Sequence, residues 1–142
     1  MRKRLLMWLA ALSWPLLVLI AAPGLQAPLV ARTVVSTTKP IHSWTAVASW
    51  YGPEFQGRKT ASGQPFDMWS ATAAHSWLPL GSLVRLVNTR TGHSQLVRIN
   101  DRGPFTDGRE LDVSFLVASR LGMLNRGVAR LRIELLEEPP RQ

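Results

Sequence analysis

Cysteine is absent from the 142 residues. Disulfides, thiolate metal sites, cysteine nucleophiles and a lipid-bearing N-terminal cysteine are therefore excluded. Acidic side chains are scarce, 9 against 17 Lys and Arg, and Asp101, Asp107 and Asp112 lack the alternating ligand rhythm of a calcium loop. The three histidines, His42, His75 and His93, have no paired spacing that would build a zinc site. A glycine-rich phosphate loop and a serine elbow are both missing, so neither a cofactor nor a metal is expected. Only 111 residues follow Ala31, too few for a two-domain enzyme or a dinucleotide fold.

Arg2, Lys3 and Arg4 precede an uncharged apolar run from Leu5 to Ala22. A basic start followed by such a run is an export signal, and its length also approaches that of a membrane span. Residues 1–27 are therefore expected to be a cleaved signal peptide or a retained hydrophobic anchor helix, with the remainder in the periplasm or cell envelope. Residues 28–43, rich in Pro, Ser and Thr, read as a linker.

From Trp44 the pattern turns to β. Residues 45–51, 83–88 and 95–100 are strand candidates, the last two joined through Thr91 and Gly92 as a hairpin. Near the C-terminus Ala129, Leu131, Ile133 and Leu135 alternate with Arg130, Arg132 and Glu134, a strict period of two. Residues 114–121 carry one apolar helical face and stop at Gly122. Short strands with one helix predict a small closed barrel over residues 44–136. A disordered tail is expected over 137–142.

The chemistry-bearing residues fall in the connections. Asp101 opens an Arg-Gly-Pro turn, either as a turn-forming side chain or as a general acid. Asp112 stands before the helix, as an N-cap or a second carboxylate. His75 is either a hydrogen-bonded core residue or the partner of a catalytic carboxylate. Arg102 either bridges to Asp112 or holds an anionic substrate group. Net charge from Arg32 onward is +5, dispersed along strands without a basic run, which with export disfavours nucleic acid and suits an anionic polymer outside the membrane. Trp44, Trp50, Tyr51, Trp69 and Trp77 flank these connections, and an aromatic in a groove could stack on a sugar ring.

Read together, the strings ASWYG (48–52), GRKTASG (57–63), FD (66–67), TAAH (72–75), LPLG (78–81), NDRGPF (100–105), GR (108–109), LDVS (111–114) and LG (121–122) resemble the RlpA-like family. The resemblance implies a mainly β fold, a six-stranded double-psi β-barrel with one or two short helices behind the N-terminal hydrophobic segment. It also implies a lytic transglycosylase that cuts peptidoglycan between N-acetylmuramic acid and N-acetylglucosamine, leaving 1,6-anhydro ends, in wall remodelling or daughter-cell separation. The substrate implied is a glycan strand stripped of stem peptides. Carried over by position, Asp101, Asp112 and His75 become the catalytic candidates, and Trp50, Tyr51, Thr60, Ser62, Gln64, Asn100 and Arg102 the substrate-binding ones. The family often has Glu after TASG, where this chain has the non-ionisable Gln64. Two other readings remain open: a non-catalytic peptidoglycan-binding module, and a partner of division-machinery proteins. A monomer is expected.

Overall fold

The computed structural model describes residues 38–140; the apolar segment, the greater part of the expected linker and the last two residues lie outside them. Six strands, β1 (His42–Trp50), β2 (Thr72–His75), β3 (Leu83–Asn88), β4 (Ser94–Asp101), β5 (Leu111–Val113) and β6 (Val128–Glu137), are joined by one helix, α1 (Phe115–Arg120), and two single 3-10 turns, Pro53–Phe55 and Leu124–Arg126. The sheet closes on itself in the order β1-β5-β2-β4-β3-β6, which leaves no edge exposed for pairing with another chain. The pairs β1·β5 and β2·β4 are parallel, and the other four are antiparallel.

Alternation explains what fills the barrel. Ala46 and Ala48 from β1, Val84 and Leu86 from β3, Val97 and Ile99 from β4, and Leu131, Ile133 and Leu135 from β6 all point inward. Helix α1 closes one end with Val117 and Ala118, and Leu121 and Met123 continue that apolar surface. On the outer face of β6, Glu134 accepts from Arg85 Nε at 2.6 Å and Arg132 Nε at 2.8 Å. These two charge-assisted bonds hold the Glu134 carboxyl below its ordinary range against the opposing effect of its burial.

The two longest alternating strands and the β3–β4 hairpin match the sequence expectation closely. Strand β1 starts at His42, two residues inside the expected linker, and β6 runs to Glu137. Strands β2 and β5 fall where the sequence presents polar connections; at four and three residues they are too short to display a period. The cap of α1 also differs from one expectation. Ser114, not Asp112, caps the helix: its hydroxyl accepts from Val117 N at 3.4 Å and donates to Ser70 O at 2.6 Å. Gly122, at φ +68°, supplies the left-handed turn that stops the chain from continuing the helix. Ser114→Ala removes this cap from a fully buried position and is expected to cost about 1–2 kcal/mol, read as a lower urea midpoint with the groove residues untouched.

Candidate active site

The register of four neighbouring strands brings the two aspartates together. Ser49 on β1 pairs with Asp112 on β5, Asp112 pairs with Ala74 on β2, and Ala74 pairs with Asp101 on β4, where a bulge after Ala73 shifts the register. The row crosses the outer face of the barrel in the order Ser49, Asp112, Ala74, Asp101. Inter-strand spacing puts the Asp101 and Asp112 backbones about 10 Å apart with only a methyl group between them. Both carboxylates and Ala74 line one groove of about 340 Å³, together with Tyr51, Phe55, Arg58, Lys59, Phe66, Arg102, Gly103, Pro104, Phe105 and Thr106.

Asp101 sits at the end of β4. Its Oδ1 accepts two backbone N–H groups, from Ala61 and Arg102, each at 2.8 Å. The first ties the Thr60–Ser62 turn to the barrel; the second is the turn-forming bond anticipated from the sequence. Oδ2 is left over for whatever enters the groove. Asp112 Oδ1 accepts from the Ser49 hydroxyl. The sequence offers Arg102 as a bridge to Asp112, but one guanidinium nitrogen of Arg102 goes to backbone carbonyls instead. Its Nη1 donates to the carbonyls of His75 at 3.2 Å and Leu78 at 2.9 Å, which pins it along one wall of the groove. The arginine that reaches toward Asp112 is Arg109, through Ser49 Oγ at 2.6 Å.

Tyr51 lies between the carboxylates electrostatically. Burial first, then the charges of Asp101 and Asp112, raise its hydroxyl far above the ordinary phenol range, so it stays protonated. That hydroxyl is buried in the groove without a protein partner. The ring is held against Phe66 at 4.4 Å and Phe55 at 5.9 Å between centroids. At the groove mouth Phe105 is 88 % exposed, carried there by Gly103, whose φ of +123° is open to glycine and strained for any other residue. Arg58 covers the Phe55 ring, 5.2 Å from its centroid.

The other expected site residues are distributed differently. On β1 the even positions face the core and the odd ones face out, so Trp50 packs on the core and edge-to-face against Phe115 while its neighbour Tyr51 lines the groove. On β2 the same alternation turns the fully buried His75 away from the carboxylates. Its Nδ1 accepts from Trp77 N and Leu78 N, both at 3.3 Å, and its ring lies against Trp44 and Trp77. Burial, and secondarily the charge of Arg102, lowers its pKa to about 4. Thr60 is a turn residue, its hydroxyl donating to Gln64 O at 2.7 Å and lying 3.0 Å from Ser62 Oγ. Ser62, Gln64 and Asn100 line a second, shallow depression of about 410 Å³ with Leu80, Gly81 and Arg98.

Arg58, Lys59 and Phe105 lie within the quoted strings and Thr106 just beyond one of them, yet nothing in the sequence marks them as lining residues. Loop positions carry no period from which facing could be inferred. Ser49 had a usable signal: it shares the outward phase of β1 with Tyr51.

The comparisons with known proteins agree with this fold. The family model described as lytic transglycolase matches residues 44–133. A protein of Vibrio cholerae named endolytic peptidoglycan transglycosylase RlpA is 49% identical over 89 residues, covering 63% of this chain and 34% of its own length. A Neisseria meningitidis protein of the same name is 52% identical over 90 residues, covering 63% and 38%. The chain thus spans about a third of the length of these curated relatives. Among solved structures, the Streptomyces papain inhibitor superposes with a TM-score of 0.56 at 23% identity, over 69% of this chain and 97% of the inhibitor. The apo expansin of Clavibacter michiganensis gives 0.55 at 18%, over 70% and 53%; at such identities the likeness concerns the fold alone. With its closed six-stranded barrel, its groove built from the matched segment, and a family match over most of the described residues, the chain belongs to the RlpA-like lytic transglycolase family of double-psi β-barrels.

Proposed function

We propose that the groove cleaves peptidoglycan glycan strands as a lytic transglycosylase acting in the cell envelope. The observation that carries the reading is the pairing row that sets Asp101 and Asp112 on one face, on either side of Ala74, in a single groove. The names of the relatives add that proteins with half of these residues in common act on peptidoglycan.

In this reading a glycan strand lies along the groove with a sugar ring against the exposed face of Phe105. Asp101 acts as the acid through Oδ2, since Oδ1 is already committed to two N–H donors. It donates to the glycosidic oxygen as the bond to the anomeric carbon breaks, and the leaving sugar departs with that proton. Positive charge develops at the anomeric carbon and the ring oxygen, and the Asp112 carboxylate opposes it. The 6-hydroxyl of the same muramyl residue then attacks the anomeric carbon and returns its proton to Asp101. A 1,6-anhydro end forms, water is not consumed, and the enzyme regains its starting protonation. One acid serves both steps because the nucleophile is part of the substrate, whereas ordinary glycoside hydrolysis uses a second carboxylate to activate water or to attack.

Tyr51 and Arg102 are the substrate-positioning groups in the groove. Ser62, Gln64 and Asn100 extend the contact surface into the neighbouring depression, with Thr60 shaping the turn that carries them. Trp50 stays on the core side, against Phe115, and does not meet substrate. His75 acts at a distance, by holding Arg102 through its carbonyl. Removing the Tyr51 hydroxyl, a buried neutral donor that no protein acceptor takes, is expected to raise KM about 5- to 10-fold in Tyr51→Phe with a smaller change in kcat, as follows from losing one hydrogen bond of about 1 kcal/mol.

The reading is tested by incubating the full chain with stem-free glycan strands and analysing the products by mass spectrometry. Anhydro-muramyl ends that appear with the wild type and vanish with Asp101→Asn are expected. Retention of strands without any product would instead favour a non-catalytic wall-binding module.

A further inference from the structure

Asp112 is backed by a hydrogen-bonded chain that leads away from the groove. Ser49 is 4 % exposed and lies opposite Asp112 in the parallel β1·β5 register. Its hydroxyl contacts Asp112 Oδ1 on one side and receives Arg109 Nη1 at 2.6 Å on the other. Arg109 is anchored in turn by Nη2, which donates to Thr106 Oγ1 at 2.7 Å, and Thr106 belongs to the groove wall.

The direction of these bonds is fixed by the donors available. A guanidinium can only donate, so the Ser49 oxygen is an acceptor toward Arg109. Its own hydrogen must then point elsewhere, and the Asp112 oxygen is the neighbour that can receive it. A serine hydroxyl facing a carboxyl group alone could serve as either donor or acceptor. With Arg109 behind it, that freedom is gone. Asp112 Oδ1 is therefore an obligate acceptor, with a positive charge one hydroxyl removed. Asp101 has no such chain: two neutral backbone N–H groups hold its Oδ1.

We infer that Ser49 and Arg109 form a positioning relay that orients the Asp112 carboxyl in the groove and adds a hydrogen bond to its charged form. The division of labour between the two aspartates rests on the transglycosylase reading; the relay itself does not. The other polar and charged groups that line the groove with Asp112 are Tyr51 beyond β1, Asp101 and Arg102 from the end of β4, Arg58 and Lys59 from the loop across it, and Thr106. Arg102 is committed to two backbone carbonyls, and Arg58 to the Phe55 ring. The bond that reaches the Asp112 carboxyl from the protein is the one from Ser49.

The relay is tested in the full chain by carbon-13 NMR titration of the aspartate carboxyls, with Ser49→Ala and Arg109→Gln as separate variants. Losing a hydrogen bond made to the charged form moves a carboxyl midpoint upward. The Asp112 midpoint is expected to rise by about one pH unit in Ser49→Ala and by less, in the same direction, in Arg109→Gln. Arg109→Lys should recover part of that shift, and the Asp101 midpoint should move by no more than a few tenths. Unchanged Asp112 midpoints in the variants, or equal movement of Asp101 and Asp112, would overturn the relay. If Ser49→Ala does not fold, Arg109→Gln decides. A wild type that makes no anhydro product would remove the transglycosylase reading while leaving the titration result standing.

Discussion

Asp101→Asn is expected to lower the rate of anhydro-product formation by about 10²- to 10⁴-fold, the range that a positioned general acid contributes. An amide oxygen still accepts from Ala61 N and Arg102 N, so the turn and the bulged end of β4 should persist, and strand binding should change far less than rate. Asp112→Asn should also be slow, for a different reason: the anion opposing the developing charge is gone while the proton donor remains. Rates of anhydro-product formation for both variants, with strand retention measured alongside, check the assignment.

The second large effect concerns stability. His75 is fully buried, its Nε2 has no partner, and its folded-state pKa is about 4 against 6.5 for a free imidazole. Burial is the main cause and the nearby Arg102 charge the second. Protonation is therefore easier in the unfolded chain. The stability linked to His75 is fully present above pH 6.5 and is lost as pH falls from there through about 4. The gap corresponds to about 3 kcal/mol. His75→Gln, which cannot titrate, should be less stable near neutrality but should show a flatter dependence between about pH 7 and about pH 4. Urea midpoints for both proteins at the two ends of that range provide the measurement. Equal slopes would mean that the imidazole is not the titrating group. Because the ring backs onto Trp44 and Trp77 and its carbonyl holds Arg102, acid unfolding should start from the groove wall.

These results mark where sequence was informative. Residues 129–135 alternate strictly enough that strand and facing were legible, although Glu134 and Leu136 are buried as well, and Gly122 announced the end of the helix. The six-stranded barrel was reachable for the remaining pieces only through the ordered motif strings, since β2 and β5 are too short to show a period. Asp101 and Asp112 were legible as candidates, but their shared face was not. It depends on two cross-strand registers and on a bulge between Ala73 and Ala74, and pairing partners leave no trace in a single sequence. The same gap explains the exchange of Arg102 for Arg109. Both follow or precede an aspartate closely in sequence, and only the β1·β5 register, which brings Ser49 opposite Asp112, tells which guanidinium is connected to it. His75 and Trp50 illustrate the reverse. Neighbours of groove residues along the chain, they face the opposite side because a strand alternates.

Gln64 has a place in this scheme as well. It lies outside the main groove, in the depression shared with Ser62 and Asn100, and its backbone carbonyl receives both the N–H and the hydroxyl of Thr60. The proton transfers assigned to Asp101 require no ionisable group at that position.

The most direct measurement is digestion of stem-free glycan strands by the full chain in water enriched with heavy oxygen. Attack by the sugar's own 6-hydroxyl predicts muramyl ends lighter than a reducing end by one water and free of label. Reducing ends that carry the heavy oxygen would show that water is the nucleophile and would contradict the intramolecular mechanism built on Asp101.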